Sequence, residues 1–217
     1  MIRLYQGDAR DFRRPAESVV ISDPPFNIGY KYARDSDRMP EADYWQMLRD
    51  VMVPPCVLVH YPEQVFRFAQ EVGQLPTRTV AWVYNSNTRR QWRMVAWFGI
   101  TPNFTLGSQP YKNPTDKRIR KRIAEGKSAA LYDWWNVNQV KNVSKEHSHP
   151  CEMPLQVMLN IVTVTKAAHI YDPFMGTGTT GVAAIRLGRD FTGVERDAEY
   201  FKIAEANLNM KKVGATA

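Results

Sequence analysis

A short stretch near the start of the chain places residues that could do chemistry directly after a buried strand. The run Ser18–Ser22 is apolar enough for an internal strand, and Asp23–Phe26, with the sequence Asp-Pro-Pro-Phe, follows it without a gap. A turn needs at most one proline, so two prolines between an acid and an aromatic ring predict more than a reversal of the chain. A carboxylate and a proline carbonyl both accept hydrogen bonds, and proline has no N–H group that competes with them.

A second candidate site lies in the glycine-rich stretch from His169 to Asp197. A strand pattern ends near Asp172, a helix pattern begins near Thr179, and a second strand pattern ends at Glu195. Glycines let the backbone approach a ligand, the helix start offers free N–H groups, and the acid could bind a ribose diol. The motif G-x-G-x-x-G is found in dinucleotide oxidoreductases and fits other adenosine cofactors as well. Its glycines are Gly176, Gly178 and Gly181.

A regular framework must hold both segments, and the sequence predicts alternating strands and helices. The predicted strands are Ser18–Ser22, Cys56–His60, Thr79–Tyr84, Ala168–Tyr171 and Phe191–Val194. The helical patterns begin at Tyr44, Val65, Leu155, Thr179 and Tyr200, and Gly73 is the expected stop of the second one. This alternation predicts an α/β fold with a mostly parallel sheet covered on both faces, and such sheets bind ligands at the carboxyl ends of their strands. Because both candidate segments follow a strand, they could share one rim.

Composition favours a nucleic-acid partner. The chain has 217 residues, enough for a single α/β domain over residues 1–217, and its net charge is +7. No stretch approaches the roughly 20 apolar residues that span a bilayer, so we expect no membrane role. The two cysteines, Cys56 and Cys151, predict no disulfide framework and a cytoplasmic location. No metal is expected, because His147, His149 and Cys151 lack the spacing of a zinc set.

The positive charge is concentrated in the middle of the chain. The segment Tyr111–Lys127 has seven basic and two acidic residues, a net charge of +5. This segment could be a solvated face or could contact phosphates. Three further arginines near tryptophans, Arg89, Arg90 and Arg93, fit either an exposed face or phosphate contacts.

Taken together, Asp23–Phe26 and the Phe-x-Gly-x-Gly motif Phe174–Gly178 make the sequence resemble the β class of amino-DNA methyltransferases. The resemblance extends to Gly188–Glu195, and this class places the catalytic motif before the cofactor motif, as here. It implies a doubly wound, mainly parallel sheet with one antiparallel strand, the Rossmann-like methyltransferase fold, in permuted motif order. The match is poor over about residues 86–132, where the resemblance implies a variable, DNA-contacting insert.

The resemblance also implies a reaction. These enzymes transfer a methyl group from S-adenosylmethionine to an exocyclic amine of a base flipped out of double-stranded DNA. Asp23 and the Pro24 carbonyl would accept the N–H groups of the amine, Pro25 would restrict the backbone, and Phe26 would stack on the base. Asp rather than Ser at the first motif position favours adenine N6.

The implied binding residues form two sets. The cofactor set is Asp8, Asp172, Phe174, Gly176, Gly178, Thr179, Thr180 and Glu195. The DNA-binding set is Lys31, Lys112, Lys117, Arg118, Arg120, Lys121 and Arg122. Lys31 belongs to a candidate loop over the base pocket, and the others belong to the basic middle segment.

Several alternatives remain at this point. A cytosine-N4 or RNA amino-methyltransferase would share the cofactor chemistry. A nicotinamide oxidoreductase would use the glycine loop but would leave Asp23–Phe26 unexplained, and a non-catalytic DNA-binding protein needs only the basic face. A homodimer is compatible with the sequence, which does not give the oligomeric state.

Overall fold

The computed structural model describes residues 1–29, 37–140 and 153–214, with side chains up to residue 209. The main sheet consists of β1 (Ile2–Gln6), β2 (Ser18–Ser22), β3 (Cys56–His60), β4 (Arg78–Val83), β5 (Trp92–Phe98), β8 (Trp134–Asn136), β9 (His169–Asp172) and β10 (Asp190–Glu195). A small second sheet pairs β6 (Ser108–Gln109) with β7 (Ala129–Ala130). The helices are α1 (Glu41–Val51), α2 (Pro62–Glu71), α3 (Lys117–Ala124), α4 (Leu155–Thr165), α5 (Thr179–Arg186) and α6 (Ala198–Gly214). Lys31 and the segment with His147, His149 and Cys151 lie outside the described residues.

The main sheet has eight strands in the order β1-β10-β9-β2-β3-β5-β4-β8. Neighbours from β1 through β3 are parallel, β5 is antiparallel to both β3 and β4, and β8 is again parallel to β4. Within the described main sheet, β5 is therefore the strand that opposes the others. The reversal follows from a short connection between β4 and β5, which permits a hairpin but no crossover. The predicted mainly parallel sheet with one antiparallel strand is confirmed.

Both faces of the sheet are covered, and alternate residues of β2 show this most simply. Val19 and Ile21 pack in the cluster that includes α4, α5 and α6, whereas Val20 packs with α1 and α2 on the other face. Every residue of β2 and β3 is buried. A strand buried on two sides reads as a continuous apolar run, which is why these two strands have the bounds that the sequence predicts.

The sequence did not predict β1, β5 or β8. Strand β1 lies at one edge of the sheet and β8 at the other, so neither gives a strong apolar pattern. In the sheet, strand β5 lies between β3 and β4. In the sequence, it lies within the segment of about residues 86–132 that the family resemblance implied to be a variable insert. An arginine at its second residue, Arg93, interrupts the apolar run. No helix in the described part of the chain is long and apolar enough to cross a membrane.

The third glycine of the glycine motif serves packing between α5 and its neighbours. A Cβ atom at Gly181 would lie 2.6 Å from the Phe191 ring and 2.7 Å from a methyl group of Leu208. We predict that Gly181→Ala lowers the free energy of unfolding by about 1–3 kcal/mol through overpacking, measured by urea unfolding. As a control, Gly181→Ala is also made in the Phe191→Leu background, which removes the ring atom nearest to the added Cβ. An equal loss of stability in both backgrounds would contradict the packing role.

Candidate active site

The carboxyl ends of three adjacent strands form one rim. Asp23 follows β2, Asp172 ends β9 and Glu195 ends β10, and the sheet order places these strands side by side. All three acids line a single cleft of about 690 Å³. The Asp-Pro-Pro-Phe segment and the glycine loop therefore meet at one site, as the sequence predicts.

A buried hydrogen bond joins the two segments directly. The Ser22 hydroxyl donates to Asp172 Oδ1 at 2.6 Å, and the backbone N–H of Phe174 donates to the same oxygen at 3.1 Å. Asp172 therefore fixes both the end of β2 and the start of the glycine loop. Burial raises the pKa of Asp172 to about 6, while hydrogen bonds from Ser22, Thr180 and Phe174 oppose that rise.

The glycine loop bends where its glycines are. Gly176 has φ 52° and Gly178 has φ 88°, a region that favours glycine, and Gly178 precedes the first residue of α5. The N–H of Gly176 donates to Glu195 Oε2 at 2.9 Å, and the N–H of Asp197 donates to Glu195 Oε1 at 2.8 Å. These bonds hold the Glu195 carboxylate against the loop, and burial raises its pKa. Thr179 and Thr180 line the same cleft.

Asp8 lies at the far side of this cleft and also caps a turn. Its Oδ1 accepts the Arg10 N–H at 3.0 Å at the start of the 3₁₀ turn Ala9–Asp11. The Arg10 guanidinium contacts both carboxylate oxygens, at 2.9 and 2.7 Å, and these bonds lower the pKa of Asp8. The carboxylate is therefore ionised at neutral pH and fixed in position beside the cleft.

Asp23 forms an ion pair with Arg93, a residue that the sequence analysis did not assign to this site. Arg93 Nη1 donates to Asp23 Oδ2 at 3.1 Å, and the two side chains are 6% and 15% exposed, respectively. The expectation that Arg93 lies on an exposed face or contacts phosphate is wrong, because β5 turns this side chain into the interior. Asp23 Oδ1 is buried and accepts no hydrogen bond from the described residues. Burial raises the pKa of Asp23 to about 7, Arg93 opposes this rise, and Asp172 adds to it.

Phe26 belongs to an aromatic wall of the cleft. Its ring centroid lies 4.3 Å from that of His60 and 4.9 Å from that of Tyr61. The Arg93 guanidinium carbon lies 4.6 Å from the same centroid. These contacts fix the position of the Phe26 ring beside Asp23.

A chain of hydrogen bonds fixes the position of the Pro25 carbonyl in the Asp23–Phe26 segment. The Tyr61 N–H donates to His60 Nδ1 at 2.8 Å, so the neutral imidazole carries its proton on Nε2. His60 Nε2 then donates to the Tyr44 hydroxyl at 3.0 Å, and this hydroxyl donates to the Pro25 carbonyl at 2.9 Å. Burial, together with the nearby Arg93 and Arg90, lowers the pKa of His60 to about 3, so the relay stays neutral.

Sequence reasoning missed Tyr44, His60 and Arg93 as site residues. Tyr44 fitted the apolar face of α1, and His60 fitted the end of an apolar run. The available signal was a titratable residue inside a buried strand, since such a residue needs a partner to remain there. His60 carried that signal in the predicted strand β3, whereas Arg93 did not, because β5 was not predicted.

The structure describes six residues of the expected DNA-binding set, and none of these six lines the cleft. Helix α3 is capped by Asp116, whose Oδ1 accepts the Arg118 N–H at 2.8 Å, and none of its residues is buried. Lys112 Nζ lies 4.1 Å from the ring centroid of Trp134, which is 42% exposed. The structure thus separates an acidic cleft from an exposed basic segment. Lys31 lies outside the described residues.

Known proteins share this architecture. The fold matches the crystal structure of an M1.HpyAVI–SAM complex, with a TM-score of 0.59 and 20% identity, over 96% of this chain and 100% of that one. It also matches the PvuII cytosine-N4-specific DNA methyltransferase, with a TM-score of 0.64 and 16% identity, over 99% of this chain and 91% of that one. The sheet therefore has the Rossmann-like fold of these methyltransferases.

Sequence comparison gives the family. The family model described as DNA methylase (N6_N4_Mtase) matches residues 57–206. The type II methyltransferase M.BglII of Bacillus subtilis is 25% identical over 93% of this chain and 67% of its own length. M2.DpnII of Streptococcus pneumoniae is 38% identical over 42% of this chain and 34% of its own length. The chain belongs to the N6/N4 DNA methylase family, and it is a DNA methyltransferase that uses S-adenosylmethionine.

Proposed function

We propose that this enzyme methylates N6 of an adenine that has been flipped out of double-stranded DNA. The observation that carries the proposal is that Asp23 and the glycine loop line one cleft. An aspartate at the first motif position supports adenine over cytosine, according to the family resemblance. Flipping is required because the amine is inaccessible within a duplex.

The residues present fit the cofactor. Glu195 and Asp8 are carboxylates able to accept hydrogen bonds from the ribose and the adenine amine, and the bend at Gly176 leaves the loop backbone open to the methionine part. Gly178 does not line the cleft, and a Cβ there would lie 3.2 Å from Ala204 of α6, so this glycine shapes the loop instead. The start of α5, with Thr179, supplies N–H groups for a carboxylate. When bound, S-adenosylmethionine supplies an activated methyl group on a sulfonium, so no covalent enzyme intermediate is needed.

The protein groups act on the amine of the target base. Asp23 and the Pro24 carbonyl accept its two N–H groups, which directs the nitrogen lone pair away from the ring and toward the methyl donor. The relay through Tyr44 to Pro25 and the contact with Arg93 hold these acceptors before the base arrives. Phe26 supports the flipped base by ring contact, and Asp23 can take up the proton released from the amine.

A direct experiment tests the proposed substrate. The enzyme is expressed in a host without DNA methylation, and genomic DNA is sequenced for modified bases, while defined duplexes and RNA are assayed in vitro. We expect N6-methyladenine in duplex DNA. Methylation of cytosine N4, or of RNA alone, would replace the adenine proposal with the corresponding alternative. The family match argues against a nicotinamide oxidoreductase and against a non-catalytic DNA-binding protein.

The rate of methyl transfer should rise with pH. The pKa of Asp23 is about 7, so its acceptor form is lost as the pH falls below this value and is fully present above it. We expect a midpoint near 7 when cofactor is scarce, and a lower midpoint when a cationic cofactor saturates the enzyme and stabilises the carboxylate. Rates measured across the pH range test this, and a flat profile would contradict a titrating Asp23.

The basic helix α3 should contribute sequence-independent DNA affinity. Replacing Arg118, Lys121 and Arg122 together with glutamine should reduce the salt dependence of DNA binding by about 3 in log–log slope, since each lost phosphate contact contributes about 0.9. The control replaces Arg13, Lys166 and Arg186, exposed residues near the amino ends of the strands. Binding titrations at several salt concentrations measure both slopes, and equal slopes for the two variants would exclude the helix.

Two further expectations complete the proposal. We infer that the enzyme acts in the cytoplasm, together with its DNA. A homodimer stays a prediction, and sedimentation analysis with and without DNA would test it.

A further inference from the structure

Arg93 is a buried cation at the centre of the methyl-transfer site. It lies on β5 opposite Trp82 of β4, and the residue as a whole is 5% exposed. Its guanidinium carbon lies 4.6 Å from the Phe26 ring centroid, 5.3 Å from that of Trp82 and 5.8 Å from that of Tyr61. Burying a cation costs free energy unless an anion and aromatic faces compensate, so its presence here needs a reason.

The groups that face Asp23 come from four strands. Arg93 on β5 donates to Oδ2 at 3.1 Å, whereas Asp172 on β9 is a like charge. Tyr84, directly after β4, and His60 on β3 are near this pair, and both are neutral at pH 7 because burial raises the pKa of Tyr84 and lowers that of His60. Among these groups, Arg93 supplies the positive charge that favours an ionised Asp23.

We propose that Arg93 is a positioning residue for methyl transfer, which holds the Asp23 carboxylate ionised and oriented at the cleft so that it can accept the target amine. The inference rests on the proposed function, because it assigns a role to Asp23 in that reaction. It concerns Asp23 alone, since Arg93 lies on β5 and the cofactor loop lies between β9, α5 and β10.

Removing Arg93 should therefore act on the chemical step and leave the affinity for S-adenosylhomocysteine, which lacks the sulfonium charge, intact. Without the guanidinium, the pKa of Asp23 rises further, and at neutral pH the neutral acid replaces the anion. A rise of about 2 pKa units lowers the anionic fraction about 100-fold at low pH, and raising the pH restores it. A merely structural role would give a loss that does not depend on pH.

The experiment compares Arg93→Met, Arg93→Lys and the control Arg67→Met. Arg67 is a matched control because it also contacts an aromatic ring, that of Trp45, at 5.9 Å, but its side chain is 50% exposed, pairs with Glu71 and lies outside the lining of the cleft. Single-turnover methylation is measured across the pH range. Cofactor affinity and thermal midpoint are measured in parallel, and the carboxyl of isotope-labelled Asp23 is titrated by NMR.

We expect Arg93→Met to lower the single-turnover rate about 50-fold near pH 7 and about 2-fold near pH 9. Arg93→Lys should retain rates within about 10-fold of wild type, because it keeps the charge but loses the planar fork. Arg67→Met should match wild type, and all three variants should bind S-adenosylhomocysteine, which lacks the sulfonium charge, with normal affinity. A pH-independent loss in folded Arg93→Met, or no rescue by Arg93→Lys, overturns the proposal.

The NMR titration of the Asp23 carboxyl tests the proposal where activity measurements cannot, namely when a variant fails to fold or when no substrate is methylated. If Arg93→Met fails to fold, the titration is made in Arg93→Gln, which also removes the charge but keeps a polar side chain. A raised Asp23 titration in that variant supports the proposal, and an unchanged one overturns it. If the wild-type enzyme methylates no substrate, the proposed function fails, while the Asp23 titration still shows whether Arg93 sets the charge of this carboxylate. The two failures are therefore distinguishable.

Discussion

Replacing Asp23 with asparagine is expected to lower the rate of methyl transfer by about 10²–10⁴-fold, the usual range for the loss of a positioned proton acceptor. Asparagine keeps the shape of the side chain but removes the negative charge and the ability to take up a proton. The affinity for S-adenosylhomocysteine, which lacks the sulfonium charge, should stay near the wild-type value, because the loop bonds of Glu195 and Asp172 do not involve Asp23. Single-turnover methylation and calorimetric titration with S-adenosylhomocysteine measure the two properties separately.

Two controls sharpen this experiment. Asp116→Asn makes the same chemical change at the cap of α3, outside the cleft, where asparagine is an equally good cap, and it should leave the rate unchanged. Thermal unfolding of Asp23→Asn should show a lower midpoint, since Arg93 stays buried without its carboxylate. A folded variant that binds cofactor and methylates DNA at the wild-type rate would remove Asp23 from the mechanism.

The parts of the fold that the sequence predicts are those encoded locally. Strands β2 and β3 are buried on both faces, so their continuous apolar runs predict their bounds. The stop of α2 at Gly73 is equally local, since this residue adopts φ 64° and the next N–H bonds back to Ala69 at 3.1 Å. Prediction of the cleft needed only the rule that ligands bind at the carboxyl ends of parallel strands.

The site residues that the sequence analysis missed are brought together by strand pairing and helix packing between distant parts of the chain. Arg93 reaches Asp23 because β5 pairs antiparallel with β3 and β4. No local sequence pattern predicts that pairing. His60 and Tyr44 are 16 residues apart, and they meet only once α1 packs over the sheet. Similarly, Gly181 matched a ligand motif by spacing, yet its missing Cβ makes room for Phe191 and Leu208.

The electrostatics of the cleft fit a cationic ligand. Burial raises the pKa of Asp23, Asp172 and Glu195, so each of these carboxylates lacks the solvation that would stabilise its charge. A ligand with a sulfonium and an ammonium group compensates that loss, and its binding should shift these pKa values downward. The protein as a whole has a charge of +7, so the basic exterior suits DNA while the acidic cleft suits the methyl donor.

Glu195→Gln is expected to weaken cofactor affinity about 100-fold, with little change in the methylation rate at saturating cofactor. Hydrogen bonds to a charged group contribute about 1.5–3 kcal/mol each, and Glu195 would accept two from the ribose. The substitution also places an NH₂ group opposite the N–H of Gly176 or Asp197, which both donate to the native carboxylate. Loop geometry and ribose contacts should thus be lost together.

Calorimetric titration with S-adenosylhomocysteine measures this affinity directly, and Glu205→Gln provides the control. Glu205 is an exposed glutamate of α6, and its change should leave the dissociation constant unaltered. If Glu195→Gln instead bound as tightly as wild type but methylated slowly, Glu195 would act on the chemical step rather than on the ribose. The same acid would then belong with Asp23 and Arg93, and the division of the cleft into a cofactor side and a base side would have to be redrawn.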